Sequence, residues 1–70
     1  MPPIETLGDA LPKEMARVRD EVLPIYLVTP MGQLAAAMMR ADLDRAARAL
    51  AEGDVAKMIE VFESLKGWKV

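Results

Sequence analysis

The sequence contains no cysteine and no histidine. Without cysteine there is no disulfide to staple the fold, and without either residue the usual zinc, haem and iron–sulfur ligands are missing. The same absences remove the commonest proton shuttle near neutral pH and the best nucleophile. Ser64 is the only serine, with no histidine to activate it. Aromatics are down to one each, Tyr26, Phe62 and Trp68, so the apolar content of 53% rests on small and flexible residues, among them eleven alanines and six methionines. The four glycines are scattered and build no phosphate-cradling loop. The longest runs without a polar residue, VLPIYLV and LAAAMM, are seven and six residues, far short of the ~20 a membrane span needs. The opening MPPIETLGDA has no cationic stretch and carries Glu5 and Asp9, which argues against a secretory signal. Nine basic and eleven acidic residues are interspersed, for a net charge of −2, which argues against polyanion binding. These absences lead us to expect one small domain, cytoplasmic, with no catalytic residue, no cofactor, no metal and no membrane partner.

A chain of 70 residues buries only roughly 60% of its unfolded surface. Domains this small usually add a disulfide, a metal or a second subunit. With the first two excluded, oligomerisation or unusually close helix packing remains.

What the sequence does have is helical periodicity. Residues 1–8, with two prolines and a glycine, read as an extended arm, either frayed or pinned through Ile4 and Leu7. A first helix is predicted over about 10–27, starting between Asp9, a potential cap, and Pro12, which needs no amide partner in a first turn. Leu11, Met15, Val18, Val22 and Ile25 recur at spacings of four, three, four and three, one stripe of a helix. Arg17 and Glu21 lie one turn apart on its polar side. Pro24 should stop this helix near Leu23 or kink it.

Thr29-Pro30 restarts the chain with a cap residue and a first-turn proline. No breaker follows until Gly53, so a second helix is predicted over about 30–52, roughly 35 Å long. At 100° per residue, Met31, Ala35, Met38, Met39, Leu43, Ala46, Ala49 and Leu50 share one broad face. Arg40, Asp44 and Arg48 form a ladder of alternating sign on the other. Glu52-Gly53-Asp54 is the sharpest local signal. Gly53 can take the left-handed conformation that ends a helix, and Asp54 can cap the next. So short a link makes the second helix and a third, about 54–66, an antiparallel hairpin. Val55, Met58, Ile59, Val61, Phe62 and Leu65 line one side of the third helix, Lys57, Glu60, Glu63 and Ser64 the other. Gly67 should end it, with Trp68 folding back near Phe62.

Little in this pattern carries chemistry. Asp42 with Asp44, or Glu60 with Glu63, could be imagined as acid–base or metal pairs, but a basic residue stands one turn from each, as Arg48 does from Asp44. Solvated surface is the simpler reading. Asp42 itself falls at the edge of the apolar face. It is either a boundary residue paired with Arg45, or a partly buried charge that fixes register or meets a partner. The methionines suit either ordinary core filling or a surface that accommodates another protein. Arg40, Arg45 and Arg48 raise an alternative, a small DNA-associated regulator with a helix-turn-helix-like element. Asp42 and Asp44 interrupt that basic stripe, however, and a helix-turn-helix wants a longer turn than one glycine. The ALAEGD junction is similar in flavour to tetratricopeptide-type helix pairs but lacks their Trp, Leu-Gly and Tyr positions.

The runs LPKEMARVRDEVLPIY and AAAMMRADLDRAARALAEGDVAKMI resemble small helical proteins encoded in bacterial prophages and related genomic islands, over about Leu11 to Lys66. The resemblance implies a phage-associated cytoplasmic setting and brings no family function to any residue.

The sequence therefore predicts an all-α, three-helix arrangement built on the central hairpin, with the first helix packed on it. The expected activity is that of a non-enzymatic interaction or regulatory module acting through an apolar Met- and Ala-rich face. The expected partner is a second copy, a homodimer, or else another protein, through Met31, Ala35, Met38, Met39, Asp42, Leu43, Ala46 and Leu50.

Overall fold

A computed structural model describes residues 6–69. The chain is all-α. A first helical segment comprises α1 (Leu7–Arg17), a π-helical turn (Val18–Val22) and α2 (Leu23–Leu27); a 3-10 turn (Pro30–Gly32) leads into α3 (Gln33–Glu52), and α4 (Val55–Lys66) folds back on it. The first segment packs across the α3–α4 hairpin, giving the three-helix arrangement expected. The arm expected over residues 1–8 falls outside the described residues for 1–5.

The helix starts earlier than Asp9 because Thr6 takes the cap. Its hydroxyl accepts from the Asp9 amide at 3.2 Å and donates to the Asp9 carboxylate at 2.9 Å. Asp9 thus closes a reciprocal cap from the third helical position, so Leu7 and Gly8 join the helix. Leu11, Val18 and Val22 are buried, as their spacing predicts, and Met15 packs against the core they form.

The consequence of Pro24 is a change of pitch rather than a stop. Its ring would crowd the carbonyl one turn back, and it offers no amide hydrogen. The turn just before it widens, and the Leu23 amide bonds to the Val18 carbonyl five residues back. The extra residue rotates everything downstream. Leu23 becomes buried, Tyr26 and Leu27 turn towards the core, and Ile25, which the uninterrupted spacing puts inside, is half exposed. Arg17 likewise pairs with Glu14 at 3.1 Å rather than with Glu21. It also donates to the Leu65 carbonyl at 3.1 Å. A cation at the carbonyl end of α4 suits the sign of that helix's dipole, and the contact ties α1 to α4.

The α2–α3 corner is tight. Thr29 does not cap α3: its hydroxyl donates back to the Ile25 carbonyl at 3.2 Å, while the Gln33 side-chain Nε2 donates to the Leu27 carbonyl at 3.1 Å. Both satisfy carbonyls left over at the end of α2. Gly32 is buried here, and a Cβ on it would stand 2.1 Å from the Tyr26 carbonyl oxygen. Only glycine lets the two backbones approach this closely.

At the other end of α3 the expected turn is present. Gly53 is left-handed at φ 67°, and the Gly53 and Asp54 amides donate to the Leu50 and Ala49 carbonyls at 3.3 and 3.1 Å. The Asp54 carboxylate accepts from the Lys57 amide at 3.1 Å. One helix is closed and the next opened within two residues.

The result is a slab with principal extents of 41 × 29 × 15 Å and a radius of gyration of 12.7 Å. A compact chain of this length would have about 11 Å. Three helices side by side give each one inner face and leave much of the others outside. Among the described residues, no helix is long and apolar enough to cross a membrane.

Candidate interaction surface

The middle of α3 carries two opposite surfaces. Its inner face holds Ala36, Met39, Ala46 and Ala49, all buried against the first helical segment and α4. The small alanines let the helices approach closely, and Met39, wholly inaccessible, fills the irregular gap between them.

Asp42 sits on the edge of this face and is buried. One carboxylate oxygen accepts from Ser64 Oγ at 2.8 Å and from Trp68 Nε1 at 2.9 Å. The other is paired with the Arg45 guanidinium. Asp42 thus both pairs with Arg45 and is a buried charge, and its further hydrogen-bond partners belong to its own chain. Burial by itself pushes the carboxyl pKa up. The hydrogen bonds from Trp68, Arg45 and Ser64, with the Arg45 charge, outweigh it, and the group is held below the ordinary aspartate value. Ser64 is therefore no idle surface hydroxyl. Trp68 lies back on the last turn of α4, its amide donating to the Leu65 carbonyl at 3.1 Å, and its ring meets Tyr26 edge-on at 6.4 Å. The Tyr26 hydroxyl then donates to the Lys69 carbonyl at 2.9 Å. The segment after Gly67 is thus strapped across α3 to α2, and the carboxylate of Asp42 is its anchor.

The outer face differs in kind. Leu34 is 74% and Met38 53% exposed, and at the corner before them Ile25 is 50%, Val28 83% and Met31 91% exposed. Leu34 and Met38 are neighbours one turn apart, and the exposed Ala37 and Ala41 lie beside them on the same side of the helix. No charge enters this arc before Arg45. A smaller exposed pair, Val55 and Ile59, marks the start of α4.

The eight residues expected at an interface therefore divide. Met31 and Met38 are open to solvent; Ala35, Leu43 and Leu50 are partly covered and lean on the core; Met39, Asp42 and Ala46 are used inside the chain. Leu34, Val28 and Ile25 extend the open group: periodicity around Met39 misses Leu34 because it lies off the centre of the apolar stripe, Val28 lies outside α3, and Ile25 is turned outward by the widened turn before Pro24. Only the spacing of Leu34 to Met38 could have marked a second stripe.

A groove of about 340 Å³ between α3 and α4 is lined by Arg45, Arg48, Glu52, Lys57 and Glu60 over a floor of Ala49 and Val61. Three cations and two carboxylates alternate across it, which suits a solvated surface more than recognition of one charge sign. Among the described residues, no group of three acidic residues could hold a metal. The turn between α3 and α4 is the Gly53-Asp54 step, shorter than that of a helix-turn-helix.

Compared with protein-family models, with curated proteins and with solved structures, the chain matches none.

Proposed function

We propose that the chain is a non-enzymatic helical docking module whose working surface is the outer stripe of α3, Leu34 and Met38, continued by Met31 and Val28 at the corner. The observation that carries this reading is the exposure of these four large apolar side chains in a chain whose core is complete without them. Soluble monomers rarely leave contiguous apolar patches beyond a few hundred Å² bare unless something binds there. Two of the four are methionines, whose flexible side chains adapt to a partner's relief. The resemblance to prophage-encoded helical proteins supports a phage-associated setting in the bacterial cytoplasm, where such a module would bind a protein.

Methyl-labelled protein tests the reading by NMR, in a concentration titration of the labelled chain itself through the micromolar range and, separately, in a titration with cell extract. Selective broadening of the Val28, Met31, Leu34 and Met38 methyls is expected in at least one titration. Perturbation confined to the Ala49 and Val61 methyls at the floor of the α3–α4 groove, or no perturbation in either, would overturn it.

A further inference from the structure

We infer that the first occupant of this surface is a second copy of the chain, docked antiparallel along α3 about a two-fold axis between Ala37 and Met38. The inference rests on the docking reading above and names its partner.

The first argument is self-complementarity. Within one arc of α3, two large residues, Leu34 and Met38, stand beside two small exposed ones, Ala37 and Ala41. Both pairs have a spacing of four. Two copies related by a two-fold axis present the same patch to each other. With the axis between 37 and 38, Leu34 of each copy meets Ala41 of the other, and Met38 meets Ala37. Each projection then has a recess of matching spacing, which lets the helix axes approach closely. In this register Asp44 comes opposite Met31 and Arg45 opposite Pro30 of the second copy, so the charges stand at the two ends of a central apolar overlap.

The second argument is size. The exposures of Met31, Leu34 and Met38, with the exposed Ala37 and Ala41 between them, amount to a patch on the order of 500 Å², within the upper range of what monomers carry. Doubled by symmetry it reaches roughly 1,000 Å², the least that a specific interface is expected to bury. A slab only 15 Å through in its thinnest direction, with no cysteine to supply a disulfide, gains a second layer from this pairing.

The test uses the absence of cysteine. Sedimentation equilibrium of the wild-type chain should give a dimer in the micromolar range. Ala37→Cys, beside the axis, should form a covalent dimer under mild oxidation in near-complete yield. Ala51→Cys, more than 30 Å from its symmetry mate along the helix, should give at least tenfold less. Ala41→Trp, which fills the recess from an exposed position, should leave the helical circular dichroism intact and weaken association by tenfold or more. A wild-type monomer up to 100 µM, or equal cross-linking at the two cysteines, overturns the pairing. Failure of the pairing is distinguishable from failure of the docking reading. A monomer whose Leu34 and Met38 methyls broaden only with cell extract keeps the surface and loses the second copy, whereas a dimer that leaves those methyls untouched loses both.

Discussion

Met38 and Met39 are adjacent in sequence and opposite in circumstance. Met39 is wholly buried, while Met38 is half exposed beside the still more exposed Leu34. One helix thus carries two faces of different burial. The inner face closes a core with alanine and methionine and satisfies its single buried charge from within the chain. The outer face is comparably apolar and has nothing over it. The difference shows that hydrophobicity alone does not identify a core: position relative to the neighbouring helices decides, and what is left over is available for association.

The comparison breaks most readily on the inner side. Met39→Ala should cost about 2–5 kcal/mol of folding free energy, the range for truncating a buried methionine, read by urea denaturation. In a domain of 70 residues, that is a large part of the total. Next comes Asp42→Ala, which leaves the Ser64 hydroxyl and the Trp68 indole without their acceptor. A loss of about 1–3 kcal/mol is expected, with a shift in the emission of the single tryptophan as the strap loosens. The charge adds a pH dependence. Because the folded-state pKa of Asp42 is depressed, its contribution is fully present above the unfolded value of about 3.9. It is lost as pH falls through the lower folded value. Thermal melts should therefore show an acid limb below about pH 4 that is shallower in Asp42→Asn than in the wild-type protein. The smallest effect belongs to the outer side: Met31→Gln should change the stability of the monomer by no more than about 0.5 kcal/mol. A larger loss would mean that Met31 has a structural contact in solution.

How much of this was legible beforehand follows from how far each feature depends on distant chain. The Gly53-Asp54 turn is local, and its conformation and cap follow from two residue types. The stripe Leu11, Val18, Val22 is legible for the same reason. Pro24 marks a disturbance, but not whether the chain will stop, kink or widen. The widened turn rotates Leu23 inward and Ile25 outward, which fixed periodicity cannot anticipate. Asp42 stands out as an ambiguous edge residue, yet its destination depends on where Trp68 and Ser64 arrive from α4 and beyond. The interface list merges two faces for a related reason. Met38 and Met39 differ by 100° on a helix whose apolar arc is broad enough to include both, and only the directions from which α4 and the first segment approach separate them.

The central claim is that α3 separates folding from association between its two faces, and the Leu34→Gln/Met38→Gln double variant tests it most directly when its urea melt and its sedimentation are measured together. The expected result is a monomer whose folding free energy, referred to the wild-type monomer, is unchanged within about 0.5 kcal/mol, beside a wild-type chain that associates. A double variant that unfolds, or one that associates as the wild-type chain does, would contradict it.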